Sequence, residues 1–284
     1  MIDDKTRLIG LIGEDTRKTS SPFIHNKALE IVAKNYAYLA FDVKDNLDKV
    51  INGLKYMNIK GLNITIPYKE EVIGYIDELD ELSNMMKSVN TIKFDNGKIK
   101  GFNTDGLGFY MSLKDEDIDL KNKNILILGA GGAARGIAFA LSFKENSNID
   151  IVNRNYKKAQ ALVLDLRSNF KDKEFKFNAI SNLNLKNSKY DIVINTTSLG
   201  MYPNENKTPI LIDGFKSTCV FCDIVYKPHE TLFLKEAKKK NHKIIYGINM
   251  LIYQALLAQE IWFDYKFEDI NLVKEGILKD LKLN

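Results

Sequence analysis

Apolar and polar residues alternate along the first third of the chain in a way that predicts strands and helices in turn. Short apolar runs at "RLIGLIG", "YAYLAFDV" and "KGLNITIP" predict strands. Between them, "SPFIHNKALEIVAKN" and "NLDKVINGLKYMN" repeat apolar residues at helical spacing. This alternation is typical of a parallel sheet. The segment "NTIKFDNGKIKGFNT" then predicts a hairpin that turns at Asp95, Asn96 and Gly97, residue types that tolerate a positive φ.

A second alternating series predicts a second α/β domain. It begins at "KNILILGAGGAARGIAFALSF" and continues through "IDIVNR", "YKKAQALVLDLRSNF", "FKFNAI", "DIVINTT", "TCVFCDIVY" and "KIIYG". After Gly247 the pattern is purely helical, and we expect these C-terminal helices to pack back on the first domain. The predicted boundaries are residues 1–104, completed by 248–284, for the first domain and 105–247 for the second.

Composition and charge narrow the class of protein. Of 284 residues, 45% are hydrophobic and 27% are charged, which is a soluble globular balance. The net charge is only +4, and the lysines are spread out apart from short clusters such as Lys238 to Lys240, which has the spacing of a solvated helix face. No apolar run approaches the roughly 20 residues of a membrane span, and "MIDDKTRLIGLIG" is no signal peptide. We therefore expect a cytoplasmic protein, a monomer or a homodimer, that binds neither nucleic acid nor membrane.

The two cysteines, Cys219 and Cys222, form a C-x-x-C motif, which elsewhere marks redox or metal sites. Here the motif lies in "TCVFCDIVY", a run that predicts a strand, and strand positions three apart point to opposite faces. We therefore predict two buried structural thiols. The three histidines lie far apart and show no metal-ligand spacing, so no metal site is expected.

The stretch "ILILGAGGAARG" carries the strongest local signal for a ligand. It has the form G-x-G-x-x-[GA] between a predicted strand and a predicted helix, the context of a Rossmann dinucleotide site. Gly129 would allow the tight turn, Gly131 the approach of a pyrophosphate, and Ala134 close helix–strand packing. The free N–H groups of the helix that opens near Gly132 would face the phosphates. The alternative is a glycine turn without a ligand.

The end of the next predicted strand indicates which dinucleotide binds. NAD sites place a carboxylate there, whereas this chain has Asn153 and Arg154, followed by Lys157 and Lys158. A guanidinium can bind a ribose 2′-phosphate with two hydrogen bonds and stack on adenine. We therefore predict NADP, with an ordinary basic surface turn as the alternative.

Lys69 is a candidate proton-transfer residue because it directly follows the apolar strand and Pro67 in "GLNITIPYK". A hydride transfer to a carbonyl needs a group that exchanges the hydroxyl proton, and α/β sheets bind ligands at the carboxyl ends of their strands. An exposed lysine at a helix start is the alternative. Asp105 lies in a predicted loop flanked by glycine, where its carboxylate could meet Lys69. Ser21 is predicted to cap a helix with Pro22 at its first position, although its hydroxyl could also face a ligand.

Nine segments in order resemble shikimate dehydrogenases over essentially the whole chain. They are "TSSPFIHN", "GLNITIPYK", "SVNTI", "GFNTDGLGF", "GAGGAARGIAFAL", "NRNYKKA", "INTTSLGM", "DIVYKPHET" and "GINMLIYQA". The resemblance implies reduction of 3-dehydroshikimate to shikimate with NADPH in aromatic amino-acid biosynthesis. It also implies a substrate domain at residues 1–104, completed by the C-terminal helices, and a Rossmann domain for NADP at 105–247.

The resemblance also implies roles for individual residues. Lys69 and Asp105 match the catalytic pair of the family. The expected substrate-binding residues are Thr19, Ser21, Asn63, Thr65, Asn90, Asp105, Tyr226 and Gln254. The expected cofactor-binding residues are Gly129, Ala130, Gly131, Gly132, Ala133, Asn153, Arg154, Lys158, Thr196, Ile224 and Gly247.

Some positions depart from the usual family pattern. Lys18 and Thr19 replace histidine and serine, Asn155 stands where threonine is common, and Ile224 stands where methionine is frequent. None of these changes removes a catalytic group, but the added methyl of Thr19 bears on the choice between shikimate and quinate. Two alternatives stay open: a quinate/shikimate dehydrogenase with broader substrate or NAD use, and a non-catalytic protein that senses the metabolite. A folate-linked dehydrogenase would not explain "GFNTDGLGF" and "GINMLIYQ" together.

Overall fold

A computed structural model describes residues 2–17, 19–180 and 189–281. Its strands are β1 (Arg7–Gly13), β2 (Tyr36–Asp42), β3 (Gly61–Ile64), β4 (Glu78–Leu79), β5 (Thr91–Asp95), β6 (Lys98–Phe102), β7 (Asn124–Leu128), β8 (Asn148–Val152), β9 (Phe177–Ile180), β10 (Ile192–Asn195), β11 (Val220–Asp223) and β12 (Lys243–Ile245). Its helices are α1 (Ser21–Ile31), α2 (Leu47–Leu54), α3 (Glu81–Met86), α4 (Asp105–Lys114), α5 (Gly132–Lys144), α6 (Tyr156–Asn169), α7 (Leu232–Lys239), α8 (Gly247–Phe263) and α9 (Ile270–Asp280), with a 3₁₀ turn at Glu71–Tyr75.

The chain forms two compact units. The first combines Met1–Gly108 with Leu251–Leu281, and the second is Phe109–Met250. Their limits lie four residues and three residues beyond the predicted boundaries at 104 and 247. The predicted fold class, two α/β domains with C-terminal helices packed on the first, is confirmed.

The first unit is built on a mixed sheet with the strand order β2-β1-β3-β5-β6-β4. Strands β2, β1 and β3 are parallel, as is the short β4–β6 pair, while β5 is antiparallel to both of its neighbours. The predicted hairpin is confirmed as β5–β6, where Asp95 pairs with Lys98. Its two loop residues, Asn96 and Gly97, have φ of 50° and 80°, as a tight turn between twisted strands requires.

The C-terminal helices complete the core of the first unit. Trp262 of α8 is fully buried with Ile9 and Tyr38, and its Nε1 donates to the carbonyl oxygen of Ile92 at 2.9 Å. Gly61 makes room for the indole, since a Cβ there would lie 2.2 Å from the ring. Helix α9 packs on α1. The sheet of the first unit is therefore covered by residues from both ends of the chain.

The second unit contains a fully parallel sheet with the order β12-β11-β10-β7-β8-β9. When the strands are numbered from β7 in chain order and read from β9 to β12, this is the order 3-2-1-4-5-6 of a Rossmann fold. The strand order changes direction between β7 and β10, and dinucleotides bind at such a point, at the carboxyl ends of the strands. The turns after Leu128 and Asn195 therefore lie where a cofactor is expected.

Several predicted elements differ in detail from the structure. Strand β3 ends at Ile64 rather than continuing to Pro67, because the Tyr68 N–H bonds back to the Thr65 carbonyl and starts a turn. Helix α2 ends at Leu54 rather than near Asn58, whose φ of 53° is not helical. No helix in the described part of the chain is long and apolar enough to cross a membrane.

Candidate active site

Lys69 and Asp105 are in direct contact in the first unit. Lys69 lies in the turn after β3, and its carbonyl oxygen accepts from the Val89 N–H at 2.8 Å. Its Nζ lies 2.5 Å from Oδ2 of Asp105, and the two side chains are 28% and 23% exposed. Asp105 is the first residue of α4 rather than part of the predicted loop. A carboxylate in the first turn of a helix is favoured by the helix dipole.

Asn90 holds the other oxygen of Asp105. Its Nδ2 donates to Oδ1 of Asp105 at 2.8 Å and to the Thr104 hydroxyl at 3.0 Å. Its Oδ1 accepts from the Thr104 backbone N–H at 2.8 Å. Asn90 is 3% exposed, so this amide is almost fully inside the protein. The carboxylate of Asp105 is thus bound on one oxygen by an ammonium and on the other by an amide N–H.

Asn63 and Thr65 come from the end of β3. Asn63 is 5% exposed; its Oδ1 accepts from the Tyr38 hydroxyl at 2.8 Å and its Nδ2 donates to the Thr91 hydroxyl at 3.0 Å. The Thr65 N–H bonds to Ile12 of β1, and its side chain is half-buried against Gly13.

Thr19 and Ser21 form a hydroxyl pair at the start of α1. The Thr19 hydroxyl donates to Oγ of Ser21 at 3.0 Å and accepts from the Ser21 N–H at 3.2 Å. The predicted cap is wrong: helix α1 begins at Ser21 itself, its N-cap is Ser20 without a side-chain cap bond, and Pro22 is one position further inside. Ser21 is therefore inside the helix, one position after the capping residue. Lys18 lies outside the described residues.

Gln254 belongs to α8 of the first unit and is 8% exposed, with its Nε2 donating to the Leu251 carbonyl at 2.9 Å. Tyr226 lies in the second unit, where it is half-buried after β11. Of the predicted substrate residues, the structure therefore joins Lys69, Asp105, Asn90 and Asn63 by hydrogen bonds, and Thr19 with Ser21.

The glycine-rich turn follows β7 in the second unit. Gly129 has a φ of 116°, and a Cβ there would lie 2.5 Å from the Thr196 hydroxyl, so glycine is required. That hydroxyl donates to the Leu128 carbonyl at 2.8 Å. Gly131 is the N-cap of α5 and faces open space, while Ala134 is fully buried against the sheet. Ala130, Gly132 and Ala133 lie in the same exposed or half-exposed turn.

Asn153, Arg154 and Lys158 follow β8, where the Asn153 amide donates to the Asn155 carbonyl at 2.9 Å. Arg154, Lys157 and Lys158 are exposed, and within the described residues none of the three is paired with a carboxylate. These side chains could therefore bind an anion without first breaking an ion pair with a carboxylate of the described residues.

Gly247 and Ile224 are packed together in the second unit. A Cβ on Gly247 would lie 2.5 Å from the carbonyl carbon and oxygen of Ile224 and 2.7 Å from the oxygen of Val225. The Ile224 N–H donates to the Asn195 carbonyl at 3.1 Å. The backbone at the start of α8 and the backbone of the loop after β11 thus lie close together.

Asp223, which the sequence analysis missed, organises this part of the second unit. Its buried carboxylate accepts from the Asn195 amide at 3.1 Å, the Thr231 hydroxyl at 2.7 Å and the Val225 N–H at 2.9 Å. Burial raises the pKa of Asp223 to about 6, against these hydrogen bonds, which lower it. The sequence does contain a signal for this cluster: Asn195 and Asp223 are polar residues at the ends of apolar strands. Lys69 was found by the same kind of position, directly after an apolar strand.

Cys219 and Cys222 are free thiols and both are buried, as predicted. Burial raises the pKa of the Cys219 thiol to about 12 and also raises the pKa of the Cys222 thiol well above its ordinary value. Thiols in this state are poor nucleophiles and metal ligands. The lysine cluster is likewise exposed, as predicted, with Lys238, Lys239 and Lys240 paired to surface carboxylates.

Comparison with known proteins supplies the family. Residues 11–92 match the model of the shikimate dehydrogenase substrate binding domain, and residues 112–224 match that of shikimate / quinate 5-dehydrogenase. A protein of Methanococcus vannielii named shikimate dehydrogenase (NADP(+)) is 44% identical over 286 residues, covering 99% of this chain and 100% of the relative.

Solved structures agree over the same span. A crystal structure of shikimate dehydrogenase in complex with NADP+ has a TM-score of 0.90 at 42% identity, covering 99% of this chain and 98% of the other. A shikimate 5-dehydrogenase from Listeria monocytogenes, in complex with shikimate and NAD, has a TM-score of 0.87 at 31% identity, with 96% and 97% covered. With both family models, the relatives and the folds in agreement along nearly its full length, this chain belongs to the shikimate dehydrogenase family.

Proposed function

We propose that this chain is an NADP-dependent shikimate dehydrogenase that reduces 3-dehydroshikimate to shikimate and catalyses the reverse oxidation, in aromatic amino-acid biosynthesis. The observation that carries the proposal is the contact between Lys69 and Asp105, 2.5 Å apart beyond the carboxyl end of β3 and held by Asn90, in a chain of this family.

Lys69 acts as the proton donor in the reductive direction. Its Nζ, already oriented by Asp105, gives a proton to the C3 oxygen of the substrate as that oxygen gains charge. Asp105 holds the ammonium in place and takes part in the proton exchange that restores it. Asn90 fixes the carboxylate from its other side, so the pair keeps one geometry.

The substrate is a small carboxylate with several hydroxyl groups, and it needs donors and acceptors rather than apolar walls. Thr19 and Ser21 bind the carboxylate, because their paired hydroxyls can each turn a proton toward an anion. The ring hydroxyls are taken by the polar side chains of Asn63, Thr65, Asn90 and Gln254, beside Asp105. A site of this kind discriminates strongly, since an analogue that lacks a hydroxyl leaves a buried group unpaired.

The second unit fits NADP, which when bound supplies or accepts the hydride. The open space before Gly131 and the free N–H groups at the start of α5 accommodate a pyrophosphate. The turn at Asn153, Arg154 and Lys158 has unpaired cations for the 2′-phosphate. The turn residues Gly129, Ala130, Gly132 and Ala133 complete the phosphate cradle, and Thr196, Ile224 and Gly247 line the nicotinamide end.

A cofactor and substrate panel tests the proposal. Purified protein is assayed at 340 nm with NADP+ or NAD+ in combination with shikimate or quinate, and with Lys69→Ala as the negative control. We expect turnover of shikimate with NADP+ to exceed every other combination. A preference for NAD+ or quinate would make the chain a broader quinate/shikimate dehydrogenase.

Absence of turnover with all four combinations, together with shikimate binding detected by calorimetry, would instead identify a metabolite-sensing protein. We further propose that the enzyme works in the cytoplasm on small molecules only, without nucleic acid, as a monomer or a homodimer. The molar mass measured by light scattering after size-exclusion chromatography distinguishes a monomer from a homodimer.

A further inference from the structure

Behind Asn90 lies a layer of buried polar side chains, and two of them, Tyr38 and Thr91, have no role in the proposed mechanism. Tyr38 of β2, Asn63 of β3 and Thr91 of β5 are 0%, 5% and 0% exposed. Asn63 and Thr91 are directly opposite one another in the antiparallel β3–β5 pair. Tyr38 and Thr91 are therefore too deep to touch a substrate, and yet they bond to residues that the proposed function places at the substrate.

The orientation of both asparagine amides is fixed by backbone groups. The Asn90 carbonyl accepts from Nδ2 of Asn63 at 3.2 Å, so the Oδ1 of Asn63 must face the Tyr38 hydroxyl. The Thr104 N–H donates to Oδ1 of Asn90, so the Nδ2 of Asn90 must face the carboxylate of Asp105. Neither amide can turn over without leaving a buried group unpaired.

The Thr91 hydroxyl lies between these two amides and can serve both. It accepts from Nδ2 of Asn63 at 3.0 Å and donates to Oδ1 of Asn90 at 2.9 Å. Hydrogen bonds thus run in one direction from Tyr38 through Asn63, Thr91 and Asn90 to Asp105. We call Tyr38, Asn63, Thr91 and Asn90 the polar relay.

The far end of the polar relay is held by ring packing. The phenol of Tyr38 is stacked on His25, with ring centroids 4.0 Å apart and the planes 3° from parallel. His25 is fully buried, and burial lowers its pKa to about 3, so the ring is neutral. The amide of Gln259 donates to the His25 carbonyl at 3.0 Å. The Tyr38 hydroxyl is therefore presented to Asn63 from a rigid, uncharged support.

We infer that Tyr38 and Thr91 are positioning residues of the reaction: through the polar relay they fix Asn90, whose N–H sets the Asp105 carboxylate against Lys69. This inference rests on the proposed function. It assigns the two residues an effect on the chemical step, although neither contacts substrate or cofactor.

Thr91→Val and Thr91→Ser form the deciding pair of variants. Valine has the shape of threonine but removes one hydrogen-bond partner from Nδ2 of Asn63 and one from Oδ1 of Asn90, whereas serine keeps the hydroxyl. The remaining bonds, to the Asn90 carbonyl and from the Thr104 N–H, do not join the two side chains to each other. We expect kcat for shikimate oxidation to fall about tenfold in Thr91→Val, the effect of one buried hydrogen bond. The KM for NADP+ should stay within about twofold of the wild-type value, since the cofactor residues lie in the other unit. Thr91→Ser should recover most of the lost kcat.

Tyr38→Phe gives an independent reading, with Tyr36→Phe as its control. Tyr36 lies on the same strand, and its hydroxyl has no hydrogen-bond partner within the described residues. We expect Tyr38→Phe to lower kcat and Tyr36→Phe to leave it unchanged. This pair decides the question if Thr91→Val does not fold.

Wild-type kcat in folded Thr91→Val, or in folded Tyr38→Phe, would overturn the inference. Equal loss in the valine and serine variants would also overturn it, because that result attributes the effect to packing of the methyl group. If the wild-type protein itself has no turnover, the proposed function is refuted. The effect on kcat that we assign to the polar relay is then refuted as well.

Discussion

At the scale of single residues, the contact between Lys69 and Asp105 gives the most direct prediction. Lys69→Ala should lower kcat by about 10²–10⁴, the usual contribution of a positioned acid–base group. Affinity for shikimate should stay within about tenfold, because the other polar side chains of the site are unchanged. Steady-state rates and calorimetric binding measure the two quantities separately.

A matched control is Lys98→Ala, which removes an exposed lysine paired with Glu78 in the same unit. Its rate should equal that of the wild type. A Lys69→Ala variant with near-native kcat would show that another group transfers the proton.

Arg154 should distinguish the two dinucleotides. Loss of a charge-assisted hydrogen bond to the 2′-phosphate costs about 1.5–3 kcal/mol, so Arg154→Ala should raise the KM for NADPH at least tenfold. The KM for NADH should change little, since NADH has no 2′-phosphate. Initial-rate measurements with both cofactors check this, and equal effects on the two would contradict a phosphate role for Arg154.

The sequence placed Asp105 in a glycine-flanked loop where it could meet Lys69, and the resemblance to the family paired the two residues. The structure brings the two side chains into contact. The sequence did not predict Tyr38, Thr91 or Asp223. Each of them has at least one partner that is remote along the chain, as Tyr38 and Asn63 are 25 residues apart. Such pairings depend on strand order and register, which local patterns do not specify.

At the scale of elements, the junction between α8 and the loop after β11 depends on Gly247. A methyl group there would overlap the backbone of Ile224 and Val225. Gly247→Ala should therefore lower the free energy of unfolding by about 1–3 kcal/mol. Gly53→Ala in α2 is the control: open space surrounds Gly53, and alanine there should be neutral or stabilising by up to about 1 kcal/mol. Urea titration of both variants measures the difference, and equal stability would show that the junction yields easily.

Asp223, at the end of β11, should make stability depend on pH in a defined direction. Its pKa is about 6 in the folded protein, above the ordinary value of 3.8, so the folded state binds the proton more tightly than the unfolded state. The contribution of this group is therefore most favourable at low pH and is lost as pH rises from about 4 to 6, by up to about 3 kcal/mol.

The measurement compares the free energy of unfolding of the wild type and Asp223→Asn across pH 4 to 7. The wild type should lose stability relative to the variant as pH rises through this range. A difference independent of pH would mean that Asp223 titrates normally.

Most long elements with clear periodicity were predicted, but the ten-residue helix α4 was expected to be a loop, and several short elements were missed. The 3₁₀ turn at Glu71–Tyr75, strand β4 and helix α3 contain two to six residues, too few for a repeating apolar pattern. Their structure depends on neighbours instead, as when the Asp77 N–H bonds to Ile99 of the adjacent strand β6. The secondary structure of these short elements therefore depends on tertiary contacts, which a local sequence pattern does not reveal.

At the scale of the whole molecule, the two units differ in chain continuity. Among the residues that the structure describes, the second unit is one segment, Phe109–Met250, with a parallel sheet, whereas the first needs Leu251–Leu281 to cover its core. A fragment of residues 109–250 should therefore fold alone and bind NADP+, while residues 1–108 alone should not. Circular dichroism and calorimetric titration with NADP+ test both fragments. An unfolded 109–250 fragment would show that the second unit depends on the first.

The purely helical pattern after Gly247 suggested a tail that packs back on the first domain, and the resemblance to the family implied that this domain is discontinuous. The sequence could not predict the core contacts that join α8 to the sheet. The indole of Trp262 fits only because Gly61 lacks a side chain, and nothing in either segment alone indicates that match.

The burial of Cys219 and Cys222 has a practical consequence for spectroscopy on the intact enzyme. Both thiols are inside the second unit, and burial keeps them protonated. Maleimide and methanethiosulfonate reagents react with exposed thiolates, so they should not label either native cysteine. A single cysteine introduced on each unit's surface could then carry a fluorophore or a spin label without a cysteine-free background. Distances between the labels, with and without cofactor and substrate, would become measurable in a protein whose own thiols are untouched.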